Sequence, residues 1–166
     1  WRDLPLKLYQ SNAVYRYEPV TRPFLRGREF LWIEAHDAFE THDESLNQVK
    51  ADVNSSKSVI WEKLGIPLVF FKRPKWDKFL GADDTYAADT MLPDGKALQI
   101  SSTHDLGQRF SIPFQIKFND KKGEEKFAWQ TCYGPGIWRI FAALVSIHGD
   151  DKGLVLPFEI APIQII

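Results

Sequence analysis

The chain has 166 residues, of which 44% are hydrophobic, 26% charged and 14% aromatic, and its formal net charge is −1. This is enough for one domain with a real core, and the balance of charge excludes the global basic field that announces nucleic-acid binding. The single cysteine, Cys132, excludes an internal disulfide and any multi-cysteine zinc site, so no metal ligand set is expected. No apolar run approaches the ~20 residues of a membrane span, and Trp1-Arg2-Asp3-Leu4-Pro5 lacks the basic and apolar regions of a signal peptide. A start at Trp1 without methionine, and a strand-like close at Ile163-Gln164-Ile165-Ile166, predict a piece of a longer protein.

In chain order, Leu6–Gln10 is expected as a short strand. Val14–Glu18 and Glu29–Glu34 both alternate like strands, and Thr21-Arg22-Pro23 breaks the pattern between them, which predicts a hairpin. Phe39, Leu46, Val49, Val53, Ile60 and Leu64 then recur at helical spacing. Thr41 with Glu44 three residues on forms a capping-box pattern at the start of that helix. Gly65-Ile66-Pro67 stops it, Leu68–Phe71 follows as a strand, and Lys72–Lys78 is a basic, solvated loop. Ala82–Leu92 and Ala97–Ser102 flank the turn Pro93-Asp94-Gly95-Lys96. Phe110–Phe118 reads as extended, and Phe127–Tyr133 as a strand broken by Gly134-Pro135-Gly136. Ile137–His148 is an apolar helix expected to be buried, and two short proline-containing strands close the chain. The predicted architecture is α+β, an antiparallel sheet with two main helices packed on it.

The hairpin carries the functional signal. Residues two apart on a strand share a face. Arg16 and Glu18 therefore point the same way, and Phe30, Trp32 and Glu34 line one surface. Guanidinium, carboxylate and aromatic rings on one face suggest a site for a charged, partly flat ligand. Read singly, each group has a plainer meaning. Arg16 with Glu18 is then a cross-strand ion pair, Trp32 and Phe79 are core, and His36 and His104 are hydrogen-bonded structural histidines. His42, His148, Trp129 and Tyr133 are taken as structural, and Cys132 as a packed small residue with no evident base beside it.

Four ordered segments carry a family resemblance. Tyr15-Arg16-Tyr17-Glu18, Thr21-Arg22-Pro23-Phe24-Leu25-Arg26 and Glu29-Phe30-Leu31-Trp32 resemble motif 2 of class II aminoacyl-tRNA synthetases. The variant resembles prolyl-tRNA synthetases of the archaeal/eukaryotic type. Gln99–Gly107 after the Asp94–Leu98 turn, Gly134-Pro135-Gly136-Ile137-Trp138-Arg139 of motif 3, and Gly153–Gln164 resemble later parts of that catalytic domain. The resemblance implies a class II synthetase-like antiparallel β-sheet flanked by α-helices, with residues 1–166 running from motif 2 to motif 3. Motif 1, the anticodon-binding domain and the upstream Thr-x-Glu loop of the proline pocket are absent from this sequence.

It also implies an ATP-dependent proline–tRNA ligase of the cytoplasm. Its substrates would be L-proline, ATP with Mg²⁺ and tRNA(Pro), and the full-length enzyme would be a homodimer. Activation sets a carboxylate against the α-phosphate, two anions that need a cation between them. Arg16 suits that role because it forks onto oxyanions, and Arg139 is its catalytic companion. Arg26 would take the outer phosphates, Phe30 and Arg139 would sandwich adenine, and Glu18, Gln99 and Ser102 would contact the nucleotide. Arg16, Trp32, Glu34, His36, Phe79 and His104 would hold proline, with Trp32, Phe79 and His104 as walls. Two other readings are a non-catalytic synthetase-like binding or regulatory module and another class II synthetase of the threonyl or seryl kind.

Overall fold

The computed structural model describes residues 1–165. Its strands are β1 (Leu6–Tyr15), β2 (Glu29–Phe39), β3 (Val69–Lys72), β4 (Asp84–Met91), β5 (Ala97–Gly107), β6 (Lys117–Asn119), β7 (Glu125–Phe127) and β8 (Trp129–Pro135). Six of them make one antiparallel sheet in the order β1-β2-β8-β5-β4-β3, and β6 and β7 form a separate small hairpin. The helices are α1 (His42–Ser56), extended by a wider π-helical turn over Lys57–Lys63, and α2 (Ile137–His148). No helix among the described residues is long and apolar enough to cross a membrane.

The hairpin differs from the expected one. A single strand runs from Leu6 to Tyr15, because Ser11, Asn12 and Ala13 break the hydrophobic pattern but still pair with Ile33, Trp32 and Leu31. The strand ends at Tyr15, so Arg16–Glu18 lie beyond it, although the Arg16 N–H still donates to the Arg28 carbonyl at 2.8 Å.

Of Phe110–Phe118 only Lys117 and Phe118 are extended, in β6. Residues 108–115 coil through successive turns, with Ile112, Phe114 and Ile116 N–H groups bonded to the carbonyls of Gln108, Phe110 and Ser111. Gln115 sits at φ 56° in this bend. Phe127–Tyr133 is split at Ala128, whose N–H leaves the sheet for the Ile116 carbonyl. The two expected C-terminal strands do not form: after the Asp150–Gly153 bridge the chain makes turns, and Pro157 and Pro162 have no N–H to give a ladder. Of the strand-like Ile163–Ile166 run, Ile166 lies outside the described residues.

α1 starts as its sequence predicts. Glu44 N–H donates to Thr41 Oγ1 at 3.3 Å, and Thr41 N–H donates to Glu44 Oε2 at 3.0 Å. The inward face of the helix is only partly the apolar stripe: Val49 lies on it, whereas Leu46 and Val53 stay half-buried. Ser45, Val49, Asp52 and Ser56 are the buried residues of α1. They meet a polar inner face of the sheet, and each polar group finds a partner. Thr103 Oγ1 donates to Asp52 Oδ2 at 2.8 Å, and Gln48 donates to Asp52 Oδ1 at 2.7 Å. Ser56 Oγ lies 3.1 Å from Ser101 Oγ and 2.9 Å from Tyr133 Oη. His42 Nε2 lies 2.7 Å from Asp105 Oδ2, and its ring stacks on Trp129 at 4.3 Å. Paired groups of this kind are tolerated inside a protein; unpaired ones are costly.

The apolar core lies next to this layer, where Ile60, Ile66, Leu68, Ala88, Ile100, Ala143 and Leu144 cluster. It is where the π-helical turn, α2 and the middle strands meet. α2 has the predicted bounds but is less buried than expected. Only Ala143 and Leu144 are fully enclosed, and Phe141 and Val145 face outward.

One irregularity sets what β5 presents on each side. The β4–β5 register passes from Ala88↔Ser101 to Asp89↔Gln99, so Ile100 is an extra residue, a bulge. Consecutive Ile100 and Ser101 are therefore both buried on the helix side. Gln99 and Ser102, three apart, both reach the opposite side.

Burial holds the Asp52 carboxyl above its ordinary range, against the Thr103 and Gln48 hydrogen bonds that lower it. The folded-state value therefore exceeds the unfolded one, and the carboxylate costs stability at pH values above it. Below the ordinary carboxylate range both states are protonated and the cost vanishes. Asp52→Asn should thus gain stability relative to wild type as pH rises from the ordinary range through the raised value, then hold that gain. Urea unfolding across a pH series measures it, and a difference that is flat with pH refutes it.

Candidate functional site

On the sheet face opposite α1 is a cavity of about 370 Å³. Alternation builds its floor from three adjacent strands. β2 supplies Phe30, Trp32 and Glu34, β8 supplies Cys132 and Gly134, and β5 supplies Gln99, Ser102 and His104. Arg16, Glu18, Leu25 and Arg26 of the hairpin connection, Phe79 of the loop before β4, and Trp138 and Arg139 at the start of α2 complete it. Among the expected site residues, Arg16, Glu18, Arg26, Phe30, Trp32, Glu34, Phe79, Gln99, Ser102, His104 and Arg139 thus share one cavity. His36 does not line it: its side chain is 51% exposed at the rim and points Nε2 at Glu34 Oε2, 2.9 Å away.

The cationic groups are held differently. Arg16 Cζ lies 5.1 Å from the Phe30 ring centre and 5.2 Å from that of Trp32, and the two rings meet edge to face. Such contact orients a guanidinium without neutralising it. The carboxylate of Glu18 pairs with Arg26 Nη1 at 3.1 Å. Arg16 and Glu18 are therefore not an ion pair, and the strand ending at Tyr15 explains why they do not act as same-face neighbours. Arg139 donates from Nε to the Leu25 carbonyl at 3.0 Å and from Nη1 to the Gln99 carbonyl at 3.2 Å. Burial, then Arg26 and Arg16, lower its pKa. Neither Arg16 nor Arg139 has a carboxylate within 4.0 Å among the described residues. Two guanidiniums without counter-charge facing one cavity make a site for an anion.

The opposite end is aromatic and acidic. Trp32 is fixed by its Nε1–H, which donates to Asn12 Oδ1 at 3.1 Å. Phe79 packs 5.3 Å from the His104 ring. His104 Nδ1 lies 2.9 Å from Thr85 Oγ1 and Nε2 lies 3.2 Å from Ser102 Oγ, and burial lowers its pKa, so the ring is a neutral, pinned wall. Glu34 stands beside these rings. Cys132 Sγ lies 3.5 Å from Glu34 Oε1, and burial followed by the Glu34 charge pushes the thiol pKa well up.

Sequence reasoning missed Cys132, Gly134, Trp138 and Phe24. Cys132, expected as a packed small residue with no base beside it, lies directly opposite His36 through the β2 pairing and 3.5 Å from Glu34 Oε1. A Cβ at Gly134 would meet only the Ile33 carbonyl, at 3.7 Å, so the bare floor there keeps the cavity open. Phe24 adopts φ 58°, which is unusual for a residue with a side chain. Reciprocal Arg22–Arg26 backbone bonds of 2.9 Å hold that turn, and the ring packs on Trp138 at 4.9 Å and Phe141 at 5.2 Å. A second cavity of about 530 Å³, lined by Arg22, Arg26, Arg28 and Phe24, lies behind the turn.

Curated proteins and solved structures similar to this chain include synthetases. The chain is 70% identical over 166 residues to the proline–tRNA ligase of Thermofilum pendens, covering 100% of this chain and 34% of the relative. It is 48% identical over 166 residues to that of Methanocaldococcus jannaschii, covering 99% of this chain and 36% of the relative. The chain thus spans about a third of the length of these curated relatives. Prolyl-tRNA synthetase from Cryptosporidium parvum, solved with halofuginone and AMPPNP, superposes with a TM-score of 0.92 at 40% identity, over 98% of this chain and 33% of that one. The same enzyme with L-proline and AMP gives 0.91 at 40% identity, over 98% and 35%. The tRNA synthetase class II core domain (G, H, P, S and T) matches residues 1–148. This chain belongs to that family.

Proposed function

We propose that this chain carries the ATP and amino-acid sites of a cytoplasmic proline–tRNA ligase. It would run from motif 2 to motif 3 of a catalytic domain that dimerises in the full-length enzyme. The observation that carries the reading is one cavity that joins the uncompensated guanidiniums of Arg139 and, beside Phe30 and Trp32, Arg16 to the aromatic-walled Glu34. Relatives named proline–tRNA ligase, and a similar structure bound to L-proline and AMP, support the substrates.

Both reacting groups are anionic. Arg16 lies between the two ends and forks onto the proline carboxylate and the α-phosphate of ATP, which enters with Mg²⁺ on its phosphates. The carboxylate oxygen attacks the α-phosphorus and pyrophosphate leaves, giving prolyl-adenylate. A ribose hydroxyl of the terminal adenosine of tRNA(Pro) then attacks the acyl carbon and AMP leaves. The protein contributes alignment and charge rather than covalent chemistry. Arg139 and Phe30 flank adenine, Arg26 takes the outer phosphates, and Glu18, Gln99 and Ser102 contact the nucleotide. Glu34, with His36 supporting it from the rim, meets the secondary ammonium of proline. Trp32, Phe79 and His104 enclose its ring. Those walls suit a small apolar ring better than the polar side chains of threonine or serine.

Amino-acid-dependent ATP–pyrophosphate exchange by the intact protein tests the reading: proline should support it, and a panel in which another amino acid is preferred refutes it. Arg16→Ala should lower exchange by about 10²- to 10³-fold with the melting temperature preserved; near-wild-type exchange would remove Arg16 from its role. Phe30→Ala should raise KM for ATP more than KM for proline, and the reverse ratio would place Phe30 in the amino-acid pocket.

A further inference from the structure

Three potential metal ligands, two from β2 and one from β8, meet on the cavity face. Glu34, His36 and Cys132 each offer an atom, and all three atoms lie within 4.8 Å of one another. Strand geometry brings them together. Glu34 and His36 are two apart on β2 and share a face, and His36 pairs directly with Cys132 across the β2–β8 ladder. The Glu34 carboxylate sits between the other two. One oxygen is 3.5 Å from Cys132 Sγ and the other is 2.9 Å from His36 Nε2. His104, which pairs with Cys132 on the other side, is not available, because both its ring nitrogens have hydroxyl partners.

We infer that Glu34, His36 and Cys132 form a binding site for a thiophilic divalent cation of the Zn²⁺ class. Sulfur, imidazole and carboxylate together select such an ion and exclude Mg²⁺ and Ca²⁺, which take oxygen ligands. Three protein ligands with an open fourth position is a common arrangement for zinc. Bonds of about 2.0–2.3 Å place tetrahedral ligand atoms roughly 3.5 Å apart. Donors that lie within 4.8 Å of one another must therefore close by at most about 1 Å. His36 can supply that movement because its side chain is exposed, whereas Glu34 and Cys132 are half-buried on the sheet. On binding, the Cys132 S–H bond breaks as the Sγ–metal bond forms; the proton leaves to solvent and no electrons are exchanged. The ion also takes the Glu34 carboxylate, so it excludes an amino acid from the same end of the cavity. This last consequence rests on the function proposed above; the site itself does not.

Titration of the intact protein with Co²⁺ reads the site directly, because thiolate ligation gives a charge-transfer band. The band should appear with wild type, be displaced by Zn²⁺, persist in excess Mg²⁺, and vanish in Cys132→Ser. His36→Ala, a change at an exposed side chain, should keep the fold and weaken Co²⁺ binding by at least about tenfold. No band in wild type, or one that survives Cys132→Ser, overturns the inference. Saturating proline should raise the apparent Kd for Co²⁺. A Kd unchanged by proline, in protein whose pyrophosphate exchange responds to proline, overturns the exclusion and leaves the metal site standing. Absence of any proline response in the exchange assay instead refutes the proposed function.

Discussion

Everything at this site depends on β5 presenting unlike chemistry to its two sides. Towards α1 it offers Ser101, Thr103 and Asp105, which bond to Ser56, Asp52 and His42. Towards the cavity it offers Gln99, Ser102 and His104. The Ile100 bulge lets both sets coexist: it keeps an apolar side chain in the core and resets the alternation, so that Gln99 and Ser102 emerge together. Without the extra residue, one of that pair would turn into the helix layer and leave its polar group to be satisfied there.

The same strand order segregates charge. β8 lies between β2 and β5, so the acidic and aromatic end of the cavity is built on the sheet itself. The cationic end comes from the hairpin connection and the first turn of α2. Arg139 ties the start of α2 to the hairpin connection through the Leu25 carbonyl and to β5 through the Gln99 carbonyl. The aromatic and acidic groups thus stand on the sheet itself, and the guanidiniums come from segments far apart in sequence.

How much of this was legible in the sequence varied with the kind of force involved. The Thr41 capping box, the α2 boundaries and the Pro93–Lys96 turn depend on neighbours a few residues apart, and each was readable locally. The inner face of α1 was not, because a helix is expected to bury its apolar stripe. Asp52 and Ser56 go inward because Thr103, Ser101 and Tyr133, far along the chain, supply partners, while Ser45 donates to the His42 carbonyl one turn back. The strand Leu6–Tyr15 was read as two pieces for the same reason: pairing with β2 overrides its own uneven pattern. Phe110–Gln115 departs for another reason, since aromatic residues favour strands but here close a series of turns before β6. At the site, the motif residues were found together, whereas Cys132 was passed over because its companions are 96 and 98 positions away.

Phe24 imposes a constraint of another sort, on which sequences this fold can accept. Its backbone occupies a region where glycine is the easy choice, and its ring fills the space against Trp138 and Phe141. Glycine would relax the turn and leave the helix start uncovered. Isoleucine or valine would supply bulk but resist the left-handed backbone more strongly than phenylalanine does. The position therefore has a narrow mutational tolerance although the residue is far from buried. Variation in this loop should be freer at Val20 and Thr21, which are exposed and outside the Phe24–Trp138–Phe141 aromatic contacts, than at its aromatic tip.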